Sequence, residues 1–276
     1  MKVWLSLLVC VAGCGSGTST NSDQPPVFVQ PTPSDPMNAA VLGCLGGHGD
    51  PAAPTVPTPV DITVKDFEKS TPVMGATVEV YLSLDHVNAM MPDATAAAPT
   101  DADGNTTIMV PPGSYRVIFR TVGAPNTIET LEFNRVYNDG ARVSVSQATK
   151  SEIPALLNLQ PDDTKGVVAG SQRDCLEAEL GGVTVSMMST GGAYDNSMNV
   201  FYFQDFGTSR VPALAQKWTS GDGAFAGLNV PPGNVTVTAF GKDGPSSPQF
   251  RLGTGLVPVR AGSITIVQLE PLGPGQ

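Results

Sequence analysis

Apolar and polar residues alternate along most of the chain from residue 60 onward, which is the pattern of half-buried β-strands. In the clearest run, residues 75–82, every second position is apolar and falls on one face of the predicted strand. Weaker runs of the same kind cover residues 61–64, 105–110, 115–119 and 143–145, and residues 157–161 have the pattern of a closing strand. The periodicity therefore predicts an all-β chain.

The pattern begins again near Lys165, which indicates two copies of about 100–110 residues each. Each copy contains Asp-Gly, an alternating run, the phrase Val-Pro-Pro-Gly at residues 110–113 or 230–233, and a second alternating run. Gly tolerates positive φ in a tight turn, and Pro ends a strand because it has no N–H to donate. Each Val-Pro-Pro-Gly therefore predicts a strand–turn–strand corner and not a binding motif.

These signals predict two tandem Greek-key β-sandwich domains, at residues 59–161 and 162–273. Residues 14–58 are rich in Pro, Gly and Ser and are predicted to form a flexible tether. A small apolar patch at residues 41–45 interrupts the tether and is a candidate for docking on the first sandwich.

The repeated phrases resemble those of the carboxypeptidase regulatory-like domains, relatives of the transthyretin-type sandwich. Their T-x-x-D-G-x-F pattern is matched from Thr219 to Phe225, while the first copy has Thr107 near the aromatic position and the second has Val235 in place of the usual Tyr. The resemblance covers roughly residues 60–271. It implies an Ig-like β-sandwich fold and does not imply an activity.

The N-terminus combines Lys2 with an apolar run of about ten residues, too short to span a bilayer and typical of a signal peptide at residues 1–13. The run ends in Val11-Ala12-Gly13-Cys14, which resembles the bacterial lipobox. That resemblance implies cleavage before Cys14 and acylation of Cys14 (palmitate among the acyl chains), with a membrane partner through the lipid anchor. The absence of Asp after Cys14 favours the outer membrane of a bacterial cell envelope. An ordinary cleaved signal peptide with an incidental Cys14 is the alternative.

Two further cysteines, Cys44 and Cys175, remain after Cys10 leaves with the signal and Cys14 takes lipid. In an oxidising compartment they could form a disulfide, or they could be two reduced thiols. No C-x-x-C occurs and His48 is the only imidazole near Cys44, so the sequence predicts no metal site.

The net charge of −10 argues against nucleic acid as a partner, because phosphate binding requires clustered Lys and Arg. Residues 101–105 superficially resemble a calcium loop, but the spacing of the Gly and the acidic residues favours a turn. The chain has only two His residues and no nucleophile motif. We therefore predict no catalytic residues, no cofactor and no enzymatic activity.

The second copy carries an insertion between residues 190 and 217 that is rich in aromatic residues. One interpretation is an exposed surface for carbohydrate or protein; the other is an additional strand whose rings fill the core. The candidate ligand-binding residues are Tyr194, Phe201, Tyr202, Phe203, Phe206 and Trp218.

The sequence thus favours a non-catalytic, lipid-anchored envelope protein that presents two sandwich modules for binding or structural spacing. A ligand receptor using the aromatic insertion is the alternative, and an enzyme is a third hypothesis.

Overall fold

The computed structural model describes residue 42 and residues 52–138, 140–206, 209–221, 223–242 and 248–271. Its first half contains, in chain order, β1 (Thr58–Asp66), β2 (Thr77–Tyr81), α1 (Leu84–Ala89), β3 (Ala94–Thr95), β4 (Asn105–Val110), β5 (Arg116–Val122), β6 (Thr127–Ile128), β7 (Thr130–Val136), β8 (Gly140–Ser146) and α2 (Gln147–Leu156). Its second half contains β9 (Gly166–Gln172), β10 (Thr184–Ser189), α3 (Asn196–Asn199), β11 (Val200–Phe206), β12 (Ser209–Ala213), β13 (Ala224–Val230), β14 (Gly233–Gly241), β15 (Phe250–Val259) and β16 (Ile264–Leu269). The prediction of an all-β chain is confirmed.

The two halves use the same strand pairing. In the first half, β1 pairs with β4 in antiparallel and with β8 in parallel orientation, and β9 pairs in the same way with β13 and β16 in the second half. The facing sheets also correspond, because β2–β5–β7 and β10–β14–β15 are both antiparallel. The internal repeat of the sequence is therefore a repeat of topology.

One sheet runs through both halves. Strand β16 of the second half pairs in parallel with β7 of the first half, from Ile264 opposite Thr130 to Val267 opposite Phe133. This pairing joins nine strands in the order β12-β11-β13-β9-β16-β7-β5-β2-β3. The two sandwiches are consequently fused through a continuous hydrogen-bond ladder.

The two halves pack on opposite faces of this shared sheet. In the first half, β1 and β4 cover one face, where Val60 and Ile62 of β1 share a core with Phe119 of β5. In the second half, the β10–β14–β15 sheet covers the other face, around residues such as Phe225 and Val237. Each half leaves its outer sheet face to be covered by a helix, α1 in the first half and α2 in the second.

The Val-Pro-Pro-Gly phrases form the predicted corners. Strand β4 ends at Val110, the first residue of the first phrase, and Gly113 adopts φ +118°. In the second copy, Gly233 adopts φ +133° at the start of β14. The preceding Asp-Gly turn in the first copy is tightly constrained, because a Cβ on Gly104 would lie 2.5 Å from the Val64 carbonyl oxygen.

Residues 101–105 form a turn, as predicted, with the carboxylate of Asp101 engaged by the backbone. Asp101 Oδ1 accepts hydrogen bonds from the N–H groups of Asp103 (3.0 Å) and Asn105 (2.8 Å). This is the local side-chain bonding by which Asp favours turns.

The predicted closing strand at residues 157–161 is wrong. Residues 157–161 instead form a turn and an irregular segment directly after helix α2, which Ser146 caps by accepting the N–H of Thr149 at 3.1 Å. The helix ends at Leu156, and the apolar Leu157 and Leu159 pack against Phe201 and Phe203 on the shared sheet. The apolar residues that resembled a strand therefore anchor the end of this helix. Within the described residues, no helix has the length and apolar composition needed to cross a membrane.

Candidate functional site

The cysteines predicted to carry lipid or a disulfide are only partly covered by the described residues. Cys175 is disulfide-bonded. Cys14 and Cys44 lie outside the described residues. Leu42, two positions before Cys44, is buried among core residues of the second half. The prediction that the apolar patch at residues 41–45 docks on the first sandwich is therefore wrong for Leu42.

The aromatic insertion extends the shared sheet as a hairpin of β11 and β12. Phe201 and Phe203 pack beneath the segment after α2, and Tyr202 points to the opposite side into the core of the second half. The Tyr202 hydroxyl accepts the Val185 N–H at 2.9 Å. Of the two interpretations, the additional strand whose rings fill the core describes these three residues, because they lie on β11 and are buried, and they form no exposed ligand surface.

The remaining aromatic candidates are placed differently. Tyr194 is largely buried and its hydroxyl donates to the carbonyl oxygens of Asn199 (3.1 Å) and Leu228 (3.2 Å). Trp218 is partly buried in the segment between β12 and β13. The Phe206 side chain lies outside the described part of the structure, although its backbone belongs to β11. The structure therefore does not gather the five described aromatic side chains into one surface.

A network of charged residues joins the halves on the α1 side of the shared sheet. Arg120 of β5 is buried and donates to Glu79 at 2.7 Å and to Glu129 at 3.3 Å. Arg260, from the turn before β16, donates to the same Glu129 at 2.8 Å. The Tyr81 hydroxyl donates to Glu79 at 2.6 Å. Glu129 is thus shared between an arginine of each half.

The pKa values in this network reflect burial and hydrogen bonding. Burial raises the pKa of Tyr81 to about 12, with help from its hydrogen bond to Glu79. Burial opposes ionisation of Glu129, but hydrogen bonds from Arg120 and Arg260 outweigh it and lower the pKa of Glu129. These groups keep their ordinary neutral-pH charges, so the network acts as a structural link.

A second ion pair joins the halves near the end of β16. Arg116 donates to both carboxylate oxygens of Glu270, at 2.8 and 2.6 Å. Such two-bond pairs fix geometry more strongly than a single contact. Together with the β16–β7 ladder, they hold the two sandwiches in one orientation.

A buried carboxyl group faces a cleft on the other side of the shared sheet, next to β8. Glu132 of β7 is 2% exposed, accepts the Val143 N–H at 2.6 Å and lies 3.5 Å from Arg135 Nε.

Glu132 and Arg135 reach the same face because β7 is bulged. Residues three apart on a regular strand would face opposite sides. The β5–β7 register shifts here: Val117 pairs with Arg135 and Phe119 with Glu132, which inserts one extra residue into β7. This bulge turns Glu132 and Arg135 to the same face.

The same cleft is lined by residues of both halves. Its volume is about 190 Å³, and Arg135, Val143, Arg173, Phe203 and Gln268 contribute to its wall. The Nε–H of Arg173 is buried and has no hydrogen-bond partner among the described residues. Leaving a buried donor unpaired costs roughly 1–3 kcal/mol.

Burial raises the pKa of Glu132, and the charges of Arg135 and Arg142 and the hydrogen bond from Val143 offset only part of this effect. Sequence reasoning missed this cleft. The available signal was a Glu and an Arg close to Leu131, Phe133 and Val136 in a segment that forms a strand.

Among the described residues, no group of three or more His, Cys, Asp and Glu side chains is arranged to hold a metal ion. His86 lies in helix α1 at the surface, and its Nδ1 is 2.8 Å from Asp93 Oδ2.

Neither the protein-family models nor the curated proteins gave a match to the chain. Among solved structures, the chain is similar to the TIE protein of Bacillus anthracis, with 12% identity and a TM-score of 0.22, over 79% of this chain and 34% of that one. It is also similar to the shaft pilin SpaA of Lactobacillus rhamnosus GG (11% identity, TM-score 0.22, covering 79% and 99%) and to GBS52, the minor pilin of Streptococcus agalactiae (13%, 0.22, covering 77% and 96%). The chain therefore spans about a third of the TIE protein. Likeness at this level assigns neither a family nor a function.

Proposed function

We propose that the chain is a non-catalytic, lipid-anchored protein of the bacterial cell envelope whose fused sandwiches act as a rigid module for spacing and binding. The observation that carries this proposal is the parallel pairing of β16 with β7, reinforced by the Arg116–Glu270 and Arg260–Glu129 ion pairs. A module that holds a partner at a fixed distance needs such a rigid junction, whereas two domains on a flexible linker would move independently.

The anchor rests on the sequence before residue 15. A short apolar run followed by Val-Ala-Gly-Cys supplies the signal and the acceptor thiol, and the Pro-rich segment that follows supplies a tether. Two or more acyl chains on Cys14 would give stable membrane attachment, because each buried methylene contributes about 0.8 kcal/mol. The outer membrane is the proposed location.

We further propose Cys44 as the disulfide partner of Cys175. Leu42 is buried in the second half, and Cys44 follows it by two residues. Cys10 falls in the signal and Cys14 takes the lipid, which leaves Cys44 for Cys175. This bond would fasten the tether to the folded module.

The anchor is tested by expressing the chain in a bacterium with an alkyne-bearing palmitate analogue. Wild type and Cys10→Ser should be labelled and recovered in the membrane fraction, and Cys14→Ser should be neither. Mass spectrometry of the mature protein should show an acylated Cys14 at its N-terminus. A mature chain with an unmodified residue 14 would refute the anchor.

Rigidity is tested by spin labels at Lys69 in the first half and Ser186 in the second, both exposed. Pulsed dipolar spectroscopy should give one narrow distance distribution. A broad distribution, with each half still folded, would refute a rigid module.

A further inference from the structure

A second, apolar compartment lies under helix α2 and shares four lining residues with the cleft beside β8. The polar compartment has a volume of about 190 Å³ and the apolar one about 50 Å³, and both are lined by Phe67, Ala169, Phe203 and Ile266. We propose that this cleft binds a small organic carboxylate, with its head beside Arg135 and Arg173 and its aliphatic or aromatic tail beneath α2. This site is separate from the proposed lipid anchor, and it lies on one face of the junction, because Glu132 and Arg135 of β7 and Gln268 of β16 line its polar compartment.

The polar compartment is lined by two arginines, Arg135 and Arg173, and by two acidic residues, Glu132 and Glu179. Arg173 has an unpartnered buried Nε–H, and the described residues give its guanidinium no carboxylate partner. Among the described residues, Arg135 forms an ion pair with Glu132, whose burial favours the neutral carboxyl group. Glu179 also lines the wall, but no ion pair joins it to Arg173 in the described part of the structure. The Arg173 guanidinium is therefore the group that we assign to an incoming anion, whichever state Glu132 adopts.

A carboxylate suits this polar end because a guanidinium presents donors in a planar fork that matches the two carboxylate oxygens. The side-chain amide of Gln268 also belongs to the wall. The β7 bulge that brings Glu132 and Arg135 to one face is a feature enriched next to binding and active sites.

The apolar compartment suits a short hydrocarbon tail. Its wall includes Ile153, Pro154, Val167 and Leu228, and apolar atoms dominate it. A tail placed there would be removed from water, which favours binding in proportion to the area buried. Phe67, 39% exposed, touches both compartments and would contact the ligand where head and tail meet.

The proposal is tested by calorimetric titration of the purified full chain with hexanoate, acetate and hexanamide. Hexanoate should bind, whereas acetate lacks the tail and hexanamide lacks the charge, so both should bind at least roughly tenfold more weakly. Equal affinity for hexanoate and hexanamide, or no binding of hexanoate at millimolar concentrations, would overturn the proposal.

Variants locate the site. Arg173→Gln should weaken hexanoate binding by roughly tenfold, and Lys217→Gln, which removes one positive charge from an exposed position outside the cleft, should leave it unchanged. Phe67→Ala should reduce the advantage of hexanoate over acetate without unfolding the protein, since Phe67 is partly exposed. Wild-type binding by both Arg173→Gln and Phe67→Ala would place any hexanoate elsewhere and overturn the assignment.

Discussion

Arg116 and Glu270 are 154 positions apart in the chain and form a two-bond ion pair, with Nη1–Oε1 at 2.8 Å and Nη2–Oε2 at 2.6 Å. Both side chains are 15% exposed. The pair connects the start of β5 in the first half with the residue that follows β16 in the second. It therefore closes the junction at the end of the β16–β7 ladder.

Glu270→Gln should lower the free energy of unfolding by about 2 kcal/mol, because it weakens two charge-assisted hydrogen bonds and removes the charge of Glu270 from the pair with Arg116. Denaturant unfolding measures the change. Lys165→Ala is the control, since its pair with Asp162 is exposed and is worth less than about 1 kcal/mol. Equal effects of the two substitutions would show that the Arg116–Glu270 pair does not stabilise the junction.

The Asp-Gly turn before β4 should be more sensitive to substitution than the Pro-Pro-Gly corner after it. Gly104→Ala places a Cβ 2.5 Å from the Val64 carbonyl oxygen at φ +77°. Gly113→Ala meets no atom within 4 Å, although φ is +118°. We expect Gly104→Ala to cost at least about 2 kcal/mol more than Gly113→Ala in thermal or denaturant unfolding, because the clash adds to the backbone strain. Similar losses would indicate that the turn relaxes around the new methyl group.

The strands and corners could be predicted because their signals are local. Alternation along residues 75–82 and the fixed φ of Pro act within a few residues, so they survive in any tertiary context. Residues 157–161 show the limit of that logic. Leu157 and Leu159 are apolar for contact with Phe201 and Phe203, which lie more than forty positions later in the chain.

The shared sheet and the cleft could not be predicted from periodicity. The pairing of β16 with β7 depends on which edges meet after both halves fold, and neither strand carries a local signal for it. Likewise, Glu132 and Arg135 have the spacing of residues on opposite faces, and only the bulge in β7 brings them together. Arg120 and Glu132 are charged residues inside strands whose two faces are both buried. Such residues are the feature of a sequence that indicates a junction of this kind.

The aromatic insertion makes a separate prediction about stability. The Tyr202 hydroxyl accepts the buried Val185 N–H at 2.9 Å, so Tyr202→Phe should leave this donor unpaired and cost about 1–3 kcal/mol. Tyr137→Phe, in a half-buried tyrosine after β7, is the matched control and should change stability by less than about 0.5 kcal/mol. Unfolding followed by circular dichroism measures both. An unchanged free energy of unfolding in Tyr202→Phe would contradict the structural role of this residue.

The disulfide of Cys175 should stabilise the folded chain, and its partner should be identifiable. Peptide mapping without reductant should recover Cys175 linked to Cys44, and Cys175→Ser should lower the free energy of unfolding by about 2–4 kcal/mol, since a long loop loses its closure. Cys10→Ser is the control because that residue lies in the predicted signal peptide. Recovery of Cys175 linked to Cys14 would refute both the proposed disulfide and the lipid anchor.

Glu132 should make the stability of the protein depend on pH in the opposite sense to a salt-bridged carboxylate. Burial raises its pKa in the folded chain above the ordinary value of about 4.5, although Arg135 and Arg142 carry opposite charge nearby. Between these two pKa values the folded state binds more protons than the unfolded state, so the contribution of Glu132 to stability falls as pH rises through this interval.

Glu132→Gln keeps an acceptor for the Val143 N–H and removes the titration. The difference in unfolding free energy, variant minus wild type, should therefore increase from about pH 4.5 towards neutrality, as measured by denaturant unfolding at a series of pH values. Glu152→Gln, in an exposed position of α2, controls for the loss of one carboxylate. A difference that decreases with pH would mean that the pairing of Glu132 with Arg135 outweighs its burial, and the cleft would then present one free guanidinium instead of two.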